Sequence, residues 1–372
     1  MKKSVCVFLS AIALACAANV ASAKNDADES YSVVILGDTH FEKLPASVYH
    51  DGFNKMTESR AENIELYGKM WEDCGRRLVK RAAALEDNTT RMVFHMGDMI
   101  QGYTRDAGTH TRYLDDAYTY FKSEMGPLPF ITVVGNHDIR GNSGEVAAAA
   151  YREYMLDKLS TELGRPVTGT TFSFTIGPDA YIVIDFNKPD ATLIDRLLDE
   201  TEGARYTFVL LHGPVLPYDH VKYYNWILFG RGDARDDAMR RHFRDRFARR
   251  NAIVLCGHTH KTEFADWYSE DGGHIVQMTM NSVWSKDKYG RYTTSIDSPE
   301  NYGSMCAGKL AKQGKEMSEE HKALYDEYRP GLKTYINSKA AGSYKMNVGK
   351  DSVTIDFYPG DSQDAAVTFK LR

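Results

Sequence analysis

The sequence predicts an α/β fold in which apolar strands alternate with helices and end in polar loops. Three observations predict it. Short aliphatic runs stop at a glycine or a histidine, and polar residues follow at once: Gly37-Asp38-Thr39-His40, Gly97-Asp98, Gly135-Asn136-His137-Asp138, Leu211-His212 and Gly257-His258-Thr259-His260. Between these runs lie helical stripes, of which 61–85 is the clearest. There Ile64, Tyr67, Trp71, Cys74, Leu78, Ala82 and Leu85 recur at three- and four-residue spacing. From Gly342 onward the period changes to two, with Tyr344, Met346, Val348, then Val353, Ile355, Phe357, then Ala366, Val367, Phe369.

Taken in order, 24–31 is polar and frayed, and 32–36 is the first strand. The stretch 41–59 is a long loop that covers an apolar edge or overhangs a site. Helix 61–85 buries Trp71 as core, and strand 91–96 carries His95 as a packed histidine. A helix near 114–124 leads through Pro127 and Pro129 to a strand around Val133 and Val134. Helix 145–163 precedes an antiparallel hairpin, 171–176 and 180–185, around Gly177-Pro178. Helix 191–200, strand 206–211, a basic helix 233–249, strand 252–256 and strand 274–280 follow. The stretch 285–339 is polar and irregular, with helical potential near 318–328, and the end of the chain is a β-meander packing on the sheet. No composition shift marks a linker, so 24–372 reads as a single domain with a β-rich extension from about 285 to 372.

The first 23 residues read as an export signal: Lys2 and Lys3, an apolar stretch from Val5 to Val20, and Ala21-Ser22-Ala23 before Lys24. A membrane anchor needs a longer apolar run, and lipid attachment at Cys16 is the second alternative. The expected location is periplasmic or secreted, with no transmembrane segment in the mature chain. Removing the two lysines takes the formal charge from −5 to −7, which argues against non-specific nucleic-acid binding. Cys74, Cys256 and Cys306 then remain at scattered positions, neither a disulfide framework nor a zinc-thiolate spacing. Cys256 reads as a small buried hydrophobe; a bridge between Cys74 and Cys306 has no specific support.

The polar strand ends are where the chemistry lies. Asp38, His40, Asp98, Asn136, His212, His258 and His260 supply two carboxylates, one amide and four imidazoles. Open α/β sheets collect such residues at the carboxyl ends of their strands. Oxygen and imidazole ligands without thiolate suit Zn, Mn or Fe in catalytic sites. Seven ligands exceed one ion and suit a pair sharing a carboxylate. Taken alone, each motif is an ordinary turn; five together, in this order, are not.

These five motifs, over 32–263, resemble the calcineurin-like metallophosphoesterases. The resemblance implies a four-layer αββα sandwich of two mixed β-sheets flanked by helices, with two metal ions at the strand ends. Carried over by position, Asp38, His40, Asp98 and His260 would hold the first ion. Asp98, Asn136, His212 and His258 would hold the second, with Asp98 bridging. His137 would stand beside the substrate, and Asp138 would orient its imidazole and favour its protonated form. The implied reaction is hydrolysis of small phosphomonoesters or phosphodiesters by in-line attack of a metal-bridging hydroxide. The sequence departs from the purple acid phosphatase subgroup, placing Gln101 where that subgroup has a metal-binding tyrosine and Asp138 where it has a glutamate. Tyr103 lies two residues too far along, so a ferric–tyrosinate centre is not expected.

Arg231 and Arg235 either grip a second phosphate or begin a solvated helix, and the basic face 240–250 reads as solvated. Tyr218, His220, Tyr223, Tyr224 and Trp226 form either a substrate-stacking loop or a locally packed one. Two rival functions stay open: a non-catalytic surface or binding protein on the same scaffold, which predicts lost ligands, and another metallohydrolase, against which stands the absence of His-Glu-x-x-His.

Overall fold

The computed structural model describes residues 30–222, 224–285 and 289–372. The expected signal of 1–23, Cys16, nearly all of the stretch 24–31 and Tyr223 lie outside them. The strands are β1 Tyr31–Leu36, β2 Thr90–His95, β3 Phe130–Thr132, β4 Phe172–Ile176, β5 Asp179–Ile184, β6 Thr207–Leu211, β7 Ile253–Cys256, β8 Thr262–Tyr268, β9 His274–Thr279, β10 Thr294–Ile296, β11 Leu332–Ser338, β12 Gly342–Val348, β13 Val353–Pro359 and β14 Val367–Lys370. The helices are α1 Ser47–His50, α2 Glu58–Met70, α3 Arg76–Ala83, α4 Ala107–Met125, α5 Gly144–Leu163, α6 Ala191–Glu200, α7 Asp237–Arg249, α8 Ser304–Ala311 and α9 Glu319–Tyr328.

The strands form a six-stranded sheet, β14-β13-β12-β1-β2-β3, and an eight-stranded sheet, β10-β11-β8-β9-β7-β6-β5-β4. Both mix parallel and antiparallel pairs. The alternation within strands sets the layers. In β1, Val33 and Ile35 face the second sheet and pack with Phe94, Tyr181, Phe208, Leu255, Met278 and Ile355. Val34 and Leu36 face outward onto Trp71, Leu78, Leu114 and Phe121 of the first helical layer. The outer face of the second sheet, including Ile182, Val209 and Val254, packs on Ile194, Leu198, Phe243, Phe247 and Tyr325. The architecture is the expected αββα sandwich. Each large aliphatic or aromatic side chain buried this way contributes about 1.5–3 kcal/mol.

A polar bond also crosses between the sheets. Tyr31 Oη donates to Asp179 Oδ2 at 2.8 Å, and Arg205 closes on the same carboxylate through Nε at 2.8 Å and Nη2 at 2.6 Å. The buried acid is thereby paired, as burial requires.

Several expectations change. Tyr31 is buried in β1, not part of a frayed arm. β3 stops at Thr132, and Val133 and Val134 lie buried beyond it, with Val133 N–H donating to the His95 carbonyl at 3.0 Å. The terminal meander does not pack on the sheet; it extends it, because β12 pairs antiparallel with β1, Tyr31 opposite Val348. The stretch read as irregular holds α8, β10 and β11 besides α9. β11 is mostly polar by sequence and becomes a strand through pairing with β8. The helix expected at 61–85 is interrupted by a π turn at Trp71–Gly75, where Gly75 lacks a Cβ that would lie 2.6 Å from the Trp71 ring. The basic face of α7 is not simply solvated: Arg240 is buried, and Arg240 and Arg244 both donate to Glu327. Cys74 and Cys306 sit in opposite outer layers, so no disulfide joins them. Trp71, His95 and Cys256 are buried as expected, with His95 Nε2 2.9 Å from Thr39 Oγ1. Among the described residues, no helix is long and apolar enough to cross a membrane.

The loops after β2 and β3 touch backbone to backbone. A Cβ on Gly135 would lie 2.0 Å from Asp98 N and 2.3 Å from its Oδ1. Gly135→Ala therefore has to push Asp98 aside. It is expected to lower stability by about 1–3 kcal/mol in denaturant unfolding and to reduce metal content in the same preparation; unchanged values of both would contradict this packing.

Candidate metal centre

Each polar strand end arrives at the same rim. β1 delivers Asp38 and His40, β2 Asp98, the turn after β3 Asn136 and His137, β6 His212, and β7 His258 and His260. All seven residues expected as ligands converge. Ligand atoms of Asp38, His40, Asp98 and His260 lie within 4.8 Å of one another, as do those of Asp98, His212 and His258. Asp98 is common to both groups. His40 Nε2 is 2.9 Å from His260 Nε2 and 3.8 Å from Asp98 Oδ2. His212 Nε2 is 3.3 Å from Asp98 Oδ2, 3.0 Å from His258 Nδ1 and 3.2 Å from Asn136 Oδ1.

The loops hold this arrangement through their own amides. Asp38 accepts the His258 N–H at 2.9 Å, which ties a first-sheet residue to a second-sheet loop. Asp98 accepts the His137 N–H at 2.7 Å. The His212 Nδ1–H donates to the Met96 carbonyl at 2.8 Å, which turns the Nε2 lone pair inward. Asn281, which sequence reasoning passed over, donates from Nδ2 to the His260 carbonyl at 2.9 Å. Backbone strain collects here as well: His40, Asp98, His258 and His260 have φ of 45°, 52°, 77° and 52°. Left-handed backbone at a non-glycine residue costs on the order of 1–2 kcal/mol, and such strain clusters at functional sites.

The donor set fits cations. Asn136 Oδ1 stands among acceptors, the imidazole nitrogens of His212 and His258. Such oxygen and nitrogen lone pairs repel unless a positive charge lies between them; with the amide turned over, its N–H groups would bond those nitrogens instead. Charge tells the same story. Burial and Asp98 push the Asp38 carboxyl up to about 8. Burial opposes ionisation of Asp98 too, yet His212 beside it holds it well below the usual range. Burial alone would lower His212, but Asp98 and Asp38 outweigh it and raise the imidazole to about 9. A cation bound here competes with that proton.

The expected partnership of Asp138 with His137 is not formed. Asp138 accepts the N–H of Gly135 at 2.8 Å and of Ile100 at 3.1 Å, so its carboxylate shapes the loop rather than the ring. His137 Nδ1 donates to the Gln101 carbonyl at 2.9 Å, and Nε2 accepts from Arg140 Nη1 at 2.6 Å. Burial and the Arg140 charge push the imidazole down to about 3. With Nε2 accepting from Arg140, these contacts favour the neutral ring over the expected imidazolium.

A cleft of about 510 Å³ opens over the centre, lined among others by Arg60, Tyr67, Tyr103, Arg140 and Trp226. Tyr67 Oη lies 3.3 Å from His260 Nδ1, and its ring is 4.6 Å from that of His40. The helical stripe marked it as core, yet it is the stripe position that meets the site. Trp226 stacks on His258 with centroids 4.5 Å apart, and Arg231 lies 3.5 Å over the same Trp226 ring. Arg235 instead pairs with Glu320 at 2.7 Å and lines a different cleft. Arg140 was passed over, although its place three residues after His137, on the same turn, is the signal that could have found it.

Residues 31–262 match the sequence profile of the calcineurin-like phosphoesterases. Among solved structures, purple acid phosphatase PPD1 from yellow lupin (Lupinus luteus) seeds is similar with a TM-score of 0.55 at 13% identity, over 92% of this chain and 54% of that one. PhoD is similar with a TM-score of 0.52 at 11% identity, over 92% of this chain and 68% of that one. These likenesses are of fold, and the chain spans about half the length of the lupin phosphatase. No curated protein sequence matches significantly. Since the profile match takes in the whole set of strand-end motifs and most of the described chain, the protein belongs to the calcineurin-like phosphoesterase family.

Proposed function

We propose that the protein is an exported, binuclear metal-dependent phosphoesterase acting on small phosphate esters. The observation that carries the reading is the convergence of Asp38, His40, Asp98, Asn136, His212, His258 and His260 with their acceptor atoms facing inward. Asp38, His40, Asp98 and His260 would hold one ion, and Asp98, Asn136, His212 and His258 the other. Manganese, iron and zinc all suit the donor set. When bound, such ions supply positive charge for phosphoryl oxygens and lower the pKa of a coordinated water, the nucleophile of hydrolysis.

The chain's own residues do the rest. Asp98 is kept ionised by His212 and is held in register by the His137 N–H. His137 works as a hydrogen-bond acceptor that aims Arg140, whose guanidinium can donate to a phosphoryl group at the centre. Tyr67 and Trp226 form apolar walls with polar edges, suited to a leaving group. The strands that 289–372 add to both sheets support reading the described residues as one folding unit. A non-catalytic scaffold protein would have no need to keep seven ligands and the strained backbone beneath four of them.

Three measurements test this. Purified protein is expected to contain about two equivalents of transition metal, and chelation to abolish turnover of aryl phosphate esters; no metal-dependent turnover of mono- or diesters would overturn the enzyme reading. His137→Ala should keep its metal and lose roughly 10²-fold in rate, whereas Asp98→Ala should lose both; equal metal loss in the two variants would refute the division of roles. For export, the protein recovered outside the cytoplasm should begin at Lys24, and an intact N-terminus there would count against cleavage after Ala23.

A further inference from the structure

We propose that Arg140 makes this site select phosphomonoester dianions over phosphodiesters, an inference that rests on the phosphoesterase reading above. Arg140 Nη1 donates to Tyr103 Oη at 2.9 Å and to His137 Nε2 at 2.6 Å, and its guanidinium lies 5.6 Å over the Tyr103 ring. Its Nη2 is 2.6 Å from the outer atom of the Asn136 side-chain amide, which accepts from it only with that amide turned over. The guanidinium thus stands against the ligand cluster itself, not at the mouth of the cleft.

What holds it there is neutral. Among the described residues no carboxylate pairs with Arg140, whereas Arg205, Arg235, Arg240 and Arg244 elsewhere in the protein all meet acids. Asp98 is the one carboxylate among the described residues lining the cleft. Arg60 also lines the cleft, 5.0 Å from the centroid of the same Tyr103 ring, and donates to the Lys55 carbonyl. The tyrosine and histidine orient Arg140 without cancelling its charge. An arginine kept uncompensated in a half-buried cleft is a standing electrostatic cost that an anion relieves.

Ester chemistry then decides which anion. A phosphomonoester presents three terminal oxygens and, above its second ionisation near pH ~6, close to two negative charges. A diester presents two terminal oxygens and one charge. Cations held by Asp38, His40, Asp98, Asn136, His212, His258 and His260 would supply positive charge to terminal oxygens, and the additional terminal oxygen of a monoester suits the planar guanidinium fork of Arg140. A diester has an ester oxygen with its substituent in that place, and Arg140 with the Tyr103 ring behind it crowds that substituent.

The test compares metal-loaded wild type with Arg140→Met and Arg140→Lys. Readouts are kcat/KM for an aryl phosphate monoester and for a bis(aryl) phosphate, metal content, and affinity for inorganic phosphate by tryptophan fluorescence, since Trp226 lines the cleft. Arg140→Met is expected to lose ~10²-fold on the monoester and ~10-fold or more in phosphate affinity, to lose less than ~5-fold on the diester, and to keep its metal, with Arg140→Lys in between. Equal losses on both esters, or unchanged phosphate affinity, would overturn the proposal. Should wild type hydrolyse neither ester, the phosphoesterase reading fails, and the phosphate titration still decides whether Arg140 forms an anion site.

Discussion

The bond from the His258 backbone N–H to the Asp38 carboxylate holds the centre together. Asp38 follows a strand of the first sheet and His258 a strand of the second. Together with the bond from His212 Nδ1 to the Met96 carbonyl, it ties the rims of the two sheets together, so the distance between the two halves of the candidate ligand set does not rest on apolar packing alone. A carboxylate able to hold a cation is thus also the clamp that fixes its neighbours. The same economy recurs at Asp98, which accepts the His137 N–H while facing His212 and His40. Second contacts of this kind orient ligands before any ion arrives.

The cost of the arrangement is visible in the backbone and in the charges. Four candidate ligands occupy left-handed φ, and buried acceptors crowd together with their proton affinities pulled apart, Asp38 up and Asp98 down. The stability comes from elsewhere: three apolar clusters between and outside the sheets, and paired polar bonds such as Tyr31 with Asp179 and Arg205. A rigid sandwich can carry a strained rim because the strain is confined to loops whose strands are buried on both faces.

The cleft above the centre differs in character from its floor. The floor is carboxylate and imidazole; the walls are tyrosine, tryptophan and arginine. His137 joins the two, linked below to Asp98 through its amide and above to Arg140 through its ring. His137 thus lies between the candidate ligand Asn136 and the loop acid Asp138 with its own bonds to Asp98, Gln101 and Arg140.

The order of amino acids is enough to specify the layers and the floor of the site. Period-two alternation from Gly342 onward and three- to four-residue spacing in 61–85 report burial directly, because side-chain direction follows backbone geometry. Glycine at four of the five strand ends, and polar residues at once after all five, mark where the strands stop, so all seven candidate ligands were legible. What depends on contacts between distant segments emerged only in three dimensions: that β12 extends the first sheet beside β1, that polar β11 becomes a strand by pairing with β8, and that Asp138 bonds Gly135 and Ile100 while Arg140 takes the imidazole. Local spacing cannot show which partner a carboxylate will choose among several within reach. That choice belongs to the packing of the loops, and it sets the His137 ring between the Gln101 carbonyl and Arg140 rather than against Asp138.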